Sequence, residues 1–346
     1  MKEISYSGLF TDFHDSDFIY IDKTKNIYEL LSRENKVLIT RPRRFGKTTT
    51  LDTIGTLFEY GVDPYFQGTW IYDKWTSEPT YPVLRLNFLG FDTSSLESFK
   101  SELNTTLKSF AQKYKITGYL ECANPKETIK SLLDVLWSNQ KQIVILIDEY
   151  DCQLTANINN KDLYEEFRLF LRNFYGVLKD QAAIRFIAVT GVTRLKENTI
   201  FSVSSDLIDI TNNSAYSQLI GFTRDEIKKF YIDYLKLAAS YENKCTLEEV
   251  TELQVEGILD KLAENYDGYC FDKLYRKKVF STWSVNNFFQ TVASKRKIQF
   301  RDYWFENGGL PNILVNYIEN HKQDLLDYVE NGKLINISDA YSLILR

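Results

Sequence analysis

Residues 36–50 read Lys-Val-Leu-Ile-Thr-Arg-Pro-Arg-Arg-Phe-Gly-Lys-Thr-Thr-Thr. Val37 to Thr40 is a short apolar, β-branched run, the pattern of a buried strand. A tight turn follows over Arg41 to Phe45. Gly46-Lys47-Thr48 then opens a helix through Leu51, Ile54, Leu57 and Phe58, a spacing that gives one buried face. Strand, loop, Gly-Lys-Thr and helix in that order form the layout of a phosphate-binding loop. Backbone N–H groups of the loop and first helical turn would point at a phosphate. Gly46 lets the phosphate come close, Lys47 would reach the β- and γ-phosphates, and the Thr48 hydroxyl would ligate Mg²⁺. The usual pattern has a glycine five residues before Gly46, where this chain has Arg41. Taken alone, a Gly-Lys-Thr tripeptide could also be a basic turn on an ordinary strand–helix unit, so a second half of the site is needed.

That second half is Ile143-Val144-Ile145-Leu146-Ile147, followed by Asp148-Glu149-Tyr150-Asp151. The unbroken apolar run predicts a central parallel strand covered on both faces. Ligands of open α/β sheets sit at the carboxyl ends of strands. An apolar strand ending in Asp-Glu downstream of a phosphate loop is the Walker B arrangement. Asp148 would hold Mg²⁺ through water, and Glu149 would polarise the attacking water as general base. Asp151 either adds to the metal shell or braces Arg41 or Arg44. Ile184 to Val189 predicts the next core strand, ending in Thr190-Gly191-Val192-Thr193-Arg194. Thr190 or Thr193 could sense the γ-phosphate, and Arg194 could act as an arginine finger. A surface turn with an ion pair fits Arg194 equally well. The nucleotide-binding stretch is Arg41, Arg43, Arg44, Phe45, Gly46, Lys47, Thr48 and Thr49. The metal ligands are Thr48 and Asp148, and the catalytic set is Lys47, Glu149, Thr190 and Arg194.

With 346 residues the chain exceeds one ordinary core, and 44% hydrophobic content argues against disorder. The net charge of −5 excludes a global polycation for nucleic acid. Lys36, Arg41, Arg43, Arg44 and Lys47 nevertheless make a local anion site. The four cysteines are far apart and only two histidines are present, so zinc chemistry is not expected. There is no apolar leader after Met1 and no run long enough to span a bilayer, from which a cytoplasmic protein with reduced thiols is expected.

Along the rest of the chain, Phe18-Ile19-Tyr20-Ile21 reads as an edge strand, and Thr24 as the cap of a helix to Arg33 that could cover an adenine. Pro82 to Phe88 is a second core strand. Ser94 with Glu97 reads as a capping box for a helix through Phe110, and Lys126 to Ser138 and Lys161 to Lys179 are amphipathic helices. Asp206 to Thr211 reads as a further edge strand. From Gly221 the pattern turns helical, with capping boxes at Thr223/Glu226 and Thr246/Glu249. Asp267-Gly268 between aromatics predicts a hairpin turn, and Trp283 to Val285 the start of another helix. The organisation expected is a P-loop core over 1–220, a helical lid over 221–265 and a C-terminal α+β subdomain over 266–346.

Several stretches together resemble the bacterial AAA-ATPase-like proteins of the P-loop class, related to STAND and archaeal-type ATPases. They are Ile21 to Thr24, Thr40 to Thr48, Ile147 to Asp151, Thr190 to Arg194, Gly221 to Thr223, Tyr266 to Tyr269 and Tyr303 to Phe305. They stand in the family's order, and the resemblance implies that arginine at position 41 is normal. Two departures occur. Cys152-Gln153-Leu154 stands where the family tends to have Pro-Leu after the aspartate, and Ser281-Thr282-Trp283-Ser284 replaces Asn-Pro-Trp-Ser. Neither falls on a residue assigned to the chemistry. Family members often carry a PD-(D/E)XK nuclease-like domain after the ATPase; none is expected within these residues.

The fold expected is therefore α/β: a P-loop parallel sheet flanked by helices, followed by a smaller, mostly helical lid and C-terminal region. The function expected is Mg²⁺-dependent ATP binding and hydrolysis that drives a conformational switch. ATP is preferred over GTP on the resemblance and the lack of an Asn-Lys-x-Asp motif. Alternatives are a slow-turnover, nucleotide-dependent protein-binding module, a DNA-handling protein using the basic loop, and a small-molecule kinase. Self-association or a protein partner fits the switch; the sequence indicates neither nucleic acid nor a membrane as partner.

Overall fold

Strand β1 (Lys36–Thr40) lies inside a five-stranded, all-parallel sheet of order β2-β3-β4-β1-β5. In chain order the elements are α1 (Thr11–His14), α2 (Thr24–Leu31), β1, α3 (Lys47–Tyr60), β2 (Val83–Asn87), α4 (Leu96–Lys113), α5 (Pro125–Ser138) and β3 (Ile143–Asp148). Then come α6 (Cys152–Ala156), α7 (Lys161–Val177), β4 (Ile184–Gly191), β5 (Ile208–Asp209), α8 (Arg224–Phe230), α9 (Ile232–Asn243), α10 (Glu252–Tyr266), β6 (Asp267–Cys270), β7 (Lys278–Phe280) and α11 (Thr282–Lys295). This computed structural model describes residues 1–14, 17–194, 200–201, 206–301 and 303. Of the expected C-terminal subdomain, residues 302 and 304–346 lie outside the described residues.

The described chain divides into two compact units. The sheet unit contains Glu34–Pro42 and Pro79–Asp209. Every residue of β3 is buried, as an apolar strand covered on both faces requires. Alternate residues Leu84, Leu86, Ile143, Ile145, Ile147 and Val189 share a core with Phe99 and Leu103 of α4, Leu132 and Leu136 of α5, and Phe167 and Phe174 of α7. Period two on the strands thus meets period 3.6 on the helices. Truncating one of these side chains, as in Ile145→Ala, would cost about 2–5 kcal/mol. The expected edge strand is only the two-residue β5 beside β1.

The helical unit contains Met1–Arg33, Arg43–Glu78 and the described residues from Ile210 onward. Helices α8 to α11 gather Ile227, Leu235, Ala238, Leu259, Leu262, Phe288 and Phe289 into a second core, in which Tyr231 stacks on Phe289 at 5.0 Å. Among the described residues, no helix is long and apolar enough to cross a membrane.

Five local expectations are corrected. Phe18 to Ile21 is not a sheet strand: Phe18 makes a single bridge to Glu3, while Ile19 and Ile21 bury their side chains in the helical core. At α2 the N-cap position is Lys23, with no side-chain cap bond, while Thr24 is the first helical residue and gives its N–H and hydroxyl to Asp22 Oδ1 at 2.9 and 2.6 Å. Ser95, not Ser94, caps α4, because Ser94 turns its hydroxyl to Asp92. Thr246 and Glu249 close a turn, and α10 starts later, at the Thr251/Gln254 capping box. Asp267-Gly268 lies inside β6, so the hairpin to β7 turns over residues 271–277 instead. The Thr223/Glu226 capping box forms as expected.

Candidate functional site

Parallel pairing sets where the strands of the sheet unit end. Register matches Thr40 with Gly191 and Ile147 with Val189, so β1, β3 and β4 end together at one carboxyl edge. β4 separates the phosphate-loop strand from the Asp148 strand. Thr190 is therefore the lateral neighbour of Asp148, and its hydroxyl donates to Asp148 Oδ1. Both side chains are buried. A buried carboxylate held by a hydroxyl and backed by its neighbour's N–H (Glu149 N to Asp148 Oδ1, 3.1 Å) is oriented before any ligand arrives. Glu149 is half-buried in the left-handed region at φ 54°, where an L-residue is held only by its surroundings.

Those surroundings are the turn after β3, which is stitched to the end of β4. Tyr150 donates its N–H to the Thr190 carbonyl at 3.0 Å and its hydroxyl to the Thr193 carbonyl at 2.7 Å. Asp151, 2% exposed, accepts from the N–H groups of Val192 at 3.2 Å and Thr193 at 2.7 Å. Asp151 thus braces the β4 exit turn. Gly191 makes the approach feasible, since a Cβ there would sit 2.4 Å from both Asp151 Oδ1 and the Tyr150 ring. Cys152, at the first departure from the family pattern, is buried with its thiol pushed up chiefly by desolvation. The adjacent Gln153 bonds the Phe88 carbonyl at 2.8 Å.

Arg41 is buried at the same edge, with its N–H on the Gly191 carbonyl at 3.1 Å and its guanidinium on the Thr40 carbonyl at 2.8 Å. Burial lowers its pKa to about 9, with the Asp209 carboxylate opposing. The same Asp209 pairs with Arg194 at 2.7 Å. The ion-pair reading of Arg194 is thus what the structure contains.

The Gly-Lys-Thr loop belongs to the helical unit. Gly46, the residue before α3, adopts φ 92° and has no side chain to occupy the first-turn N–H groups. Arg44 is also left-handed, at φ 66°, with Phe45 between the two on the ordinary side. Alternating φ signs turn successive N–H groups to one side, the geometry of a backbone anion nest. The first intrahelical bonds run from Thr50 N–H and hydroxyl to the Gly46 carbonyl at 3.0 and 2.9 Å. Lys47 is buried, Thr48 and Arg43 are exposed, and the Thr49 carbonyl accepts from Thr53. The Phe45 side chain is fully buried, edge-on to Tyr269 and Phe271 at 4.6 and 5.9 Å, so only its backbone faces the loop.

Arg44 brings in residues that the sequence did not point to. Its carbonyl accepts from the Thr282 hydroxyl at 2.8 Å and the Trp283 N–H at 3.3 Å, and its guanidinium lies 4.2 Å from the Trp283 ring centroid. The second departure from the family pattern therefore does touch the phosphate loop. The Asp22-Lys23-Thr24 stretch is a brace. Asp22 Oδ2 accepts from Trp70 N–H at 2.7 Å, and buried Lys23 bonds the Gln218 carbonyl and Glu226 at 2.9 and 2.6 Å. Among the described residues, no cluster of three or more His, Cys, Asp or Glu side chains is placed to hold a metal. Asp148 and the Thr190 hydroxyl that donates to it are hard oxygen groups, chemistry compatible with Mg²⁺.

A solved structure of Cdc6p from Pyrobaculum aerophilum aligns over 60% of this chain and 47% of its own, with a TM-score of 0.31 and 15% identity. An uncharacterized protein in the vnfD 5′ region of Azotobacter chroococcum mcd 1 is 30% identical over 314 residues, covering 88% of this chain. The chain spans about half of that relative's length, 54%. The family model described as Predicted AAA-ATPase matches residues 8–201, a span that holds the phosphate loop, the Asp148 strand end and the Thr190–Arg194 turn. The chain belongs to the AAA-ATPase-like family.

Proposed function

We propose that the chain binds ATP with Mg²⁺ and hydrolyses it, and that loss of the γ-phosphate resets a conformational switch. The observation that carries the proposal is the Asp148–Thr190 pair at the carboxyl edge of the sheet from which β1 enters the Gly-Lys-Thr loop. The loop N–H groups and Lys47 would bind the β- and γ-phosphates. Thr48 and Asp148 would be the residues to hold Mg²⁺, and the chemistry it would supply is neutralisation of phosphate charge. Glu149 would take the proton of the attacking water, and Thr190 would hold the Asp148 carboxylate in place. Arg43 is exposed, fitting a role toward phosphate or a neighbouring subunit. Residues 221–265 would form the lid that answers to the phosphate.

A second reading, a slow-turnover binding module whose output is a partner contact, is favoured by the Arg194–Asp209 ion pair. An arginine so engaged would stabilise transition-state charge only after leaving Asp209.

The test is Mg²⁺-dependent phosphate release and nucleotide binding by wild type, Lys47→Ala, Glu149→Gln and Arg194→Ala. The ATPase reading requires turnover by wild type, loss of binding in Lys47→Ala, and binding without turnover in Glu149→Gln. Binding without phosphate release by wild type leaves the module reading. Absence of nucleotide binding by wild type overturns both.

A further inference from the structure

The contacts of Arg44 assign a task to the start of α11. We propose that Thr282 and Trp283 are positioning residues of the phosphate loop, holding Arg44 in the conformation that nucleotide requires. This inference rests on the nucleotide-binding reading above. Arg44 is a non-glycine residue at φ 66°, a region that costs an L-residue roughly 1–2 kcal/mol. Arginine lacks the short polar side chain that lets asparagine or aspartate adopt it. A contact that helps to offset it comes from 238 positions away along the chain. The Thr282 hydroxyl and Trp283 N–H converge on one carbonyl, that of Arg44, and the indole carries the guanidinium.

The grip is itself anchored. Trp283 Nε1–H donates to the Tyr303 carbonyl at 3.2 Å, and its ring tilts against Tyr6 at 5.1 Å. On the other side of the peptide, Phe45 is locked between Tyr269 and Phe271. Arg44 and Phe45 are thus fixed from the backbone outward, and Gly46 follows with Thr282 Cγ2 at ordinary contact distance, 3.7 Å from where its Cβ would be. An anion nest works only while its φ signs are kept. The same contacts make α11 a reporter, because a phosphate that tightens the loop tightens the Arg44–Trp283 contact by the same free energy.

The test compares the full chain with Thr282→Val, Thr282→Ser and Trp283→Phe. Thr282→Val keeps the shape and removes the hydroxyl donor, so ATP binding should weaken roughly three- to tenfold, with Thr282→Ser restoring it. Addition of ATP should change tryptophan fluorescence in wild type, and Trp283→Phe should abolish that change. Thermal melting of each variant without nucleotide separates stability from loop geometry. A lowered melting temperature with unchanged ATP affinity would make Thr282 a packing residue and overturn the inference. So would a fluorescence response that survives in Trp283→Phe. If wild type itself does not bind ATP, it is the nucleotide-binding reading that fails.

Discussion

The Thr190 hydroxyl donates to the carboxylate of Asp148 across neighbouring parallel strands, and both are buried. The pair arises from register alone: β4 runs beside β3, and each strand places one polar side chain at its end. Thr190→Val would keep the volume and remove the donor. Supporting partners of a metal-binding carboxylate are worth about 10–100-fold in metal affinity or activity. The expected result is a loss of that order in phosphate release, with half-maximal turnover moved to higher Mg²⁺. An unchanged Mg²⁺ dependence would show that Asp148 needs no orienting donor.

Gly191 and Gly257 predict opposite outcomes for the same substitution. At Gly191 the new Cβ meets Asp151 and Tyr150 at 2.4 Å, both held by buried hydrogen bonds. Gly191→Ala should destabilise by about 1–3 kcal/mol or more, as overpacking does. At Gly257, inside α10, a Cβ meets nothing within 4 Å. Gly257→Ala should stabilise by about 0.4–1 kcal/mol. Melting temperatures of the two variants beside wild type decide the matter.

Asp151 is assigned as a brace by its two backbone donors. Asp151→Asn offers one acceptor to two N–H groups, and leaving the buried one of Thr193 unpaired costs about 1–3 kcal/mol. Denaturant unfolding should register this loss. The Mg²⁺ concentration for half-maximal turnover should not move. A shift there, without a loss of stability, would return Asp151 to the metal shell.

Alkaline pH should unfold the protein through its buried phenols. Tyr20, Tyr175 and Tyr231 are raised above the ordinary tyrosine value of 10.0, mainly by desolvation. Above pH 10.0 the unfolded chain releases these protons and the folded chain keeps them, so the unfolded state binds fewer protons and stability falls as pH rises. Below that pH their contribution is fully present. A spectrophotometric titration should show a group of tyrosines that ionise only as the circular dichroism of the fold is lost. Uniform ionisation of all tyrosines near pH 10 in a folded chain would contradict it.

Residues whose role depends on near neighbours were legible in sequence. The β3 run, the β1–loop–α3 layout and the amphipathic α5 and α7 follow from apolar periodicity, which burial enforces at every position. Caps were less legible, because several side chains compete for the same N–H groups. Ser94 and Ser95 are equally able, and Asp92 takes Ser94. The Asp267-Gly268 signal failed because a dipeptide's turn preference, worth a fraction of a kcal/mol, yields to strand pairing with β7.

The sequence by itself determined that a phosphate loop leaves one parallel strand and that an Asp-Glu pair ends another. Both are written in contiguous residues, where chain connectivity fixes the geometry. Only the tertiary structure decided which groups hold those elements ready. Asp151 on the Val192–Thr193 turn, Asp209 on Arg194, and Thr282 and Trp283 on Arg44 are meetings of residues far apart in the chain. Such contacts leave no periodic trace, because a hydrogen bond needs only one donor and one acceptor, and packing, not spacing, chooses which ones meet.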